Sequence, residues 1–257
     1  MHSIVQTRRQ FLVATLAAAT WPALPAGAAQ PASLLLMAGA GYKRPVEALC
    51  AAFTRESGIQ VERSYGNLQQ LFAQARASGR VDALIGDASF IEHARDLYLP
   101  QRLTLGQGKM VLAWRRGVDS ITSPQRDLST MQSITLPNPQ QAIYGHAAEQ
   151  WLKAKGLWEP LQDKLKIVQT VPQVSAYLTS GQIDAGFLNL TEALAAKGQL
   201  GGYVELQPGA GSYTPIDIIA AMPAADAGDP ATAKARAEFA RFLQSATAKD
   251  ILRNSGL

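Results

Sequence analysis

The chain has little of what most chemistry-bearing proteins display. One cysteine, Cys50, stands among 257 residues, so no internal disulfide can form. With only three histidines, His2, His93 and His146, no Cys/His cluster has metal-ligand spacing. No G-x-S-x-G nucleophile elbow occurs, and no pair of acids has a spacing that compels acid–base catalysis. Repeats, low-complexity blocks and runs of like charge are absent. No basic stripe interleaves with aromatics, which argues against a nucleic-acid partner. The longest apolar stretch, from Phe11 to about Ala19, is short and soon broken by Thr20 and Pro22, which argues against a membrane-spanning helix.

What is present is ordinary globular material, 47% hydrophobic and 17% charged, enough for one large core or two modest ones. The first 28 residues read as an export signal. A basic start is followed by an apolar stretch and the small-residue cleavage site Ala26-Gly27-Ala28. Thr7-Arg8-Arg9-Gln10-Phe11-Leu12 resembles the twin-arginine export motif, with Val13 where a lysine is common; an ordinary secretory signal is the alternative. No cysteine follows the cleavage site to carry a lipid, so a periplasmic mature chain is expected, cut near Ala28. The formal charge of +4, less Arg8 and Arg9, leaves +2. That slight excess suits an anionic ligand, although solubility alone explains it.

Beyond the leader, short apolar runs alternate with helical periodicity, the pattern of an α/β protein with a parallel or mixed sheet covered on both faces. Strands are expected at 33–37, 60–64, 81–85, 109–113, 134–136, 166–169, 185–188, 203–206 and 215–221. Helices are expected at 45–57, 68–77, 89–96, 142–155, 174–180, 191–196, 232–244 and 248–254. Gly58, Gly79, Gly156 and Gly181 stand where a left-handed residue ends a helix, and Asp87 reads as an N-cap. The order predicts two lobes, 29–113 plus 213–257 and 114–212, with a ligand cleft between them. Cys50, inside an amphipathic helix, is expected to be buried.

The stretch LLLMAGAGYKRPVEAL, residues 34–49, joins a strand to a helix through glycines. A dinucleotide fingerprint needs G-x-G-x-x-G. Gly39 and Gly41 fit, but Arg44 fills the third position, where close packing wants no side chain; Glu62 would be the ribose acid. A small-anion site needs only free N–H groups at a helix start with glycines beside them. Lys43 and Arg44 would add positive charge there or simply be solvated. His146 either touches an anion or is a solvated helix residue, and Asp82, Asp184 and Asp217 sit at strand ends without an evident acid–base partner.

Five segments in order resemble the molybdate-binding protein family of ABC importers, periplasmic receptors with the two-lobed type II binding-protein fold. They are MAGAGYKRPVEALCAAFTRESGIQVERSYG, SGRVDALIGDASFIEHARDLYL, ITLPNPQQAIYGHAAEQWLKAKGLWEPLQDKL, SGQIDAGFLNLTEAL and FARFLQSATAKDILRNSGL. The resemblance implies a tetrahedral oxyanion held by two serine hydroxyls and backbone N–H groups of lobe one, and by backbone N–H groups and a tyrosine of lobe two. In this chain Gly41 and Leu68 stand at the serine positions, Tyr144 and Val171 at the backbone-donor positions, and Asn189 at the tyrosine. Tyr42 and Asn67 complete the expected ligand-binding set. Ser64, Tyr65, Gln140 and Gln141 are further replacements for the missing donors. Losing three side-chain donors at about 1–3 kcal/mol each weakens an oxyanion site by orders of magnitude unless others replace them. The expected function is therefore a receptor for a small anion, with molybdate and tungstate among the candidates. It would work with an inner-membrane ABC permease as a monomer, without cofactor, metal or enzymatic activity. The alternatives are an exported binding or sensory module without a transporter, for an organic acid accommodated by Tyr42, Tyr65 and Tyr144 beside the amides or for another small solute, or else an enzyme.

Overall fold

The computed structural model describes residues 33–94 and 96–257. The expected export signal lies outside them. The first half begins with strand β1 (Ser33–Gly39), a 3-10 turn (Ala40–Tyr42) and helix α1 (Lys43–Ser57). Val46, Leu49, Cys50 and Phe53 recur at helical spacing and are buried, so α1 lays one apolar stripe on the sheet. Pro45 lies in its first turn, where a missing N–H costs nothing, and Gly58 ends it with φ 74°. Strand β2 (Gln60–Gly66), helix α2 (Leu68–Ser78), strand β3 (Ala83–Asp87) and helix α3 (Ala88–His93) follow. Asp87 caps α3, its Oδ1 accepting the Phe90 N–H at 3.1 Å.

Strands β4 (Gln101–Gly108) and β5 (Met110–Arg115) carry the chain from one sheet to the other. The second half then runs through α4 (Pro124–Asp127), β6 (Ile134–Pro137), α5 (Ile143–Ala154), β7 (Leu165–Val168), α6 (Val171–Thr179), β8 (Ala185–Asn189), α7 (Leu190–Ala196) and β9 (Leu200–Leu206). Strand β10 (Ile216–Met222) returns to the first sheet, and α8 (Pro230–Leu243) and α9 (Ala246–Asn254) complete the chain.

Two five-stranded mixed sheets result, ordered β2-β1-β3-β10-β4 and β7-β6-β8-β5-β9. In each, four strands run the same way and one, β10 in the first sheet and β5 in the second, runs against both its neighbours. This is the expected two-lobed α/β architecture. The change of sheet falls between Gly108 and Met110, a few residues before Ala113, and the return falls between Leu206 and Ile216.

Each sheet has its own aromatic packing. Phe53 meets Phe239 edge-on at 5.0 Å in the first, and Trp151 meets Phe187 at 5.9 Å in the second. Helix α8 is tied to the first sheet by a buried ion pair, Arg236 Nη1 to Asp82 Oδ1 at 3.3 Å. The other oxygen of Asp82 accepts the Leu35 N–H at 2.8 Å.

Several elements differ from the sequence expectation, among them the short helix α4, which was not foreseen, and α3, which ends at His93 and not at 96. Strand β4 was not foreseen, because its apolar signal is only Leu103 and Leu105, both half-buried at a sheet edge. Strand β9 starts three residues before Tyr203, and its glycines do not break it. A Cβ on Gly201 would lie 2.8 Å from Trp114 Cδ1, and one on Gly202 2.9 Å from Trp114 Cε2, so the glycines make room for the indole. Helix α6 starts at Val171, not Val174, because Pro172 sits harmlessly in its first turn.

Candidate functional site

Strands β1 and β2 in one sheet, and β6 and β7 in the other, are adjacent and parallel. Each leads from its carboxyl end into a helical segment, at once for β1 and within one to five residues for the others. Four helical N-termini therefore converge: the 3-10 turn leading into α1, then α2, α5 and α6. Between them lies a cavity of about 30 Å³. Gly39, Ala40, Gly41 and Tyr42 line it from the first, Gly66, Asn67 and Leu68 from the second, Ala142, Ile143 and Tyr144 from the third, and Gln169, Thr170 and Val171 from the fourth. Main-chain N–H groups in the first turn of a helix have no intrahelical partner; those of Leu68, Ile143, Tyr144 and Val171 are in that position. Each α-helix also contributes a partial charge of about +0.5 at this end. The lining holds no ionisable group other than the two phenols.

The side chains around the cavity are largely committed to one another. The Tyr42 and Tyr144 hydroxyls are 2.5 Å apart, so one phenol donates to the other across the cleft. Burial raises both phenol pKa values, and both remain neutral. Both hydroxyls abut Gly108 at the sheet change; a Cβ there would lie 2.9 Å from the Tyr42 oxygen. Asn67 caps α2 by accepting the Gln70 N–H at its Oδ1 (2.9 Å), while its Nδ2 donates across the cleft to Gln141 Oε1 (3.2 Å). Asp87 lies near enough to act electrostatically on both phenols, and its own carboxyl is raised by burial.

Six of the seven expected residues, Gly41, Tyr42, Asn67, Leu68, Tyr144 and Val171, share this cavity wall. Asn189 lies outside this wall. It is fully buried behind the wall, its Oδ1 accepting the Glu192 N–H at 3.0 Å to cap α7 and its Nδ2 donating to the Gly41 carbonyl at 2.9 Å. Both polar atoms are engaged, and the Nδ2 bond links the second sheet's α7 start to the turn after β1. A Cβ on Gly41 would come within 2.9 Å of that Nδ2, so the glycine is what allows the bridge to form.

The remaining replacements also lie elsewhere. The Tyr65 hydroxyl donates to Glu47 at 2.9 Å and the Ser64 hydroxyl to Gln74 at 2.6 Å. Gln140 and His146 line a separate open groove of about 640 Å³, where His146 meets Phe90 edge-on. Lys43 sits over the Tyr65 ring, and Arg44 is 3.9 Å from Glu192, so neither brings its charge into the cavity. Sequence reasoning missed Ala40, Ala142, Ile143, Gln169 and Thr170. The run Thr170-Val-Pro-Gln173 before an apolar stretch is a capping-box pattern that marks the α6 start.

The size of the cavity bears on what it can hold. A single water needs roughly 10–15 Å³ of such space, so a cavity of about 30 Å³ has room for a guest of a few non-hydrogen atoms. A dinucleotide does not fit, which removes that reading of the Gly39–Gly41 turn.

A two-lobed α/β protein whose converging helix starts enclose a small site between the sheets has the architecture of a solute receptor. The chain belongs to the bacterial extracellular solute-binding protein family, whose profile matches residues 34–257. It is 27% identical over 255 residues to the molybdate-binding protein ModA of Rhodobacter capsulatus, covering 96% of this chain and 98% of that one. It is 26% identical to a putative ABC transporter substrate-binding lipoprotein of Bacillus subtilis, over 77% of this chain and 70% of that one. Among solved structures, the periplasmic molybdate-binding protein of Azotobacter vinelandii superposes with a TM-score of 0.73 at 25% identity, over 87% of this chain and 97% of that one.

Proposed function

We propose that this chain is the receptor of an ABC importer and closes its two lobes on a small oxyanion of the molybdate or tungstate kind. The supporting observation is the convergence of four helical N-termini on one small cavity with no charged side chain in its wall. A dianion there meets main-chain N–H groups from both lobes, so its binding favours the closed arrangement by the difference in contacts between the two states. The ligand set is Gly41, Tyr42, Asn67, Leu68, Tyr144 and Val171. The lobes correspond to the two sheets with their covering helices, hinged where the chain crosses at 108–110 and 206–216. The organic-acid alternative has less side-chain support, since the Tyr42 and Tyr144 hydroxyls bond to each other and the Tyr65 hydroxyl to Glu47. Export on residues 1–28 brings the receptor to the periplasm, where the closed form meets its permease. The role is binding, not catalysis.

The test is a thermal-shift and calorimetric screen of molybdate, tungstate, sulfate, phosphate and small carboxylates. A ligand at 100 times its dissociation constant adds about 2.7 kcal/mol of stability. Shifts with molybdate and tungstate are expected; no shift at millimolar concentration would overturn the assignment.

A further inference from the structure

The side chains at the two expected serine positions, Gly41 and Leu68, bring no hydroxyl to the cavity. We infer that the Thr170 hydroxyl replaces them, moving the side-chain donor from the first lobe to the second. This rests on the oxyanion reading of the cavity. Thr170 lines the cavity and precedes Val171 at the start of α6. Its main-chain N–H is taken up by Gln173 Oε1 at 3.1 Å, which fixes the residue at the mouth of the helix. Apart from Gln169, the other polar side chains of the wall are engaged. The phenols of Tyr42 and Tyr144 are bonded together, and the Asn67 amide spans Gln70 and Gln141. Gln169 is exposed, with its backbone N–H held by Gln173. The half-buried Thr170 hydroxyl accepts the Gln173 N–H in the α6 capping box, which leaves its own proton free to turn inward. A hydroxyl there can donate to a fully deprotonated oxyanion, adding one charge-assisted bond beside the Val171 amide.

The experiment is calorimetric titration of the mature chain with molybdate and with tungstate, in wild type, Thr170→Val and Thr170→Ser. Valine keeps the shape and removes the hydroxyl; serine keeps the hydroxyl. Valine is expected to weaken binding by about tenfold or more, and serine to stay within about threefold of wild type. Melting temperatures of the ligand-free variants report the helix-capping role separately, and Gln173→Ala, which weakens the same cap and leaves the hydroxyl, is the structural control. Wild-type binding that valine leaves unchanged would overturn the role of Thr170 and spare the oxyanion reading. A Gln173→Ala loss as large as that of valine, at equal loss of melting temperature, would also overturn it. Absence of binding to the wild type would overturn both.

Discussion

Replacing Asn189 separates a bridge between the lobes from a helix cap, because its two polar atoms do two different jobs. In Asn189→Ser a hydroxyl still caps α7 through the Glu192 N–H, but it is too short to reach the Gly41 carbonyl. In Asn189→Ala both functions go. Loss of a cap costs about 1 kcal/mol. Loss of the Gly41 bond costs about 0.5–1.5 kcal/mol when water replaces it, and about 1–3 kcal/mol when the carbonyl stays buried and bare. Opening the lobes lets water in, so serine is expected to shift the closed–open balance by about 1–2 kcal/mol, roughly 5- to 30-fold. Small-angle scattering on the ligand-free protein should show a larger radius of gyration for serine. Calorimetry should show molybdate binding weakened by a similar factor. Urea unfolding should place alanine about 1 kcal/mol below serine. If serine matches wild type in both scattering and affinity while alanine loses only stability, Asn189 is a cap alone and the bridge has no part in closure.

Asp87→Asn keeps the acceptor for the Phe90 N–H and removes a buried charge near the anion cavity. Burial raises this carboxyl above its ordinary 3.8. The folded state therefore holds the proton more tightly, and stability falls as pH rises from the ordinary value through the raised one. Wild-type oxyanion affinity should weaken over the same window, whereas the asparagine variant should bind up to about tenfold tighter at neutral pH with a flatter acid limb, read by calorimetry between pH 4 and 7. Arg236→Ala strands the Asp82 carboxylate beneath α8 and is expected to cost about 3 kcal/mol in urea unfolding, the low end for a broken buried pair, since Leu35 N–H and Arg80 still face that acid.

Much of the architecture was legible in the residues because it is local. Apolar periodicity placed α1 over the first sheet. Gly58, Gly79, Gly156 and Gly181 take the left-handed conformation expected of helix stops, with φ between 63° and 76°. Asp87 caps its helix, and Cys50 is buried. Where the pattern was thin, reading failed. Strand β4 has too few apolar residues to announce itself, and Gly201 and Gly202 look like a turn until Trp114 is seen lying across them.

The chain's own order of strands and helices thus determined the two-lobed class and placed Leu68 and Tyr144 at helix starts, since caps and periodicity act within a few residues, whereas Gly41 and Val171 were drawn in by the family resemblance. Which side chains face the cavity was decided only in three dimensions. Tyr42 and Tyr144 are separated by a hundred residues of chain and meet at their hydroxyls. Asn189 holds the Gly41 carbonyl, and Thr170 lines the gap. Such choices depend on which polar atoms find partners across the two sheets, and no spacing along the chain records that.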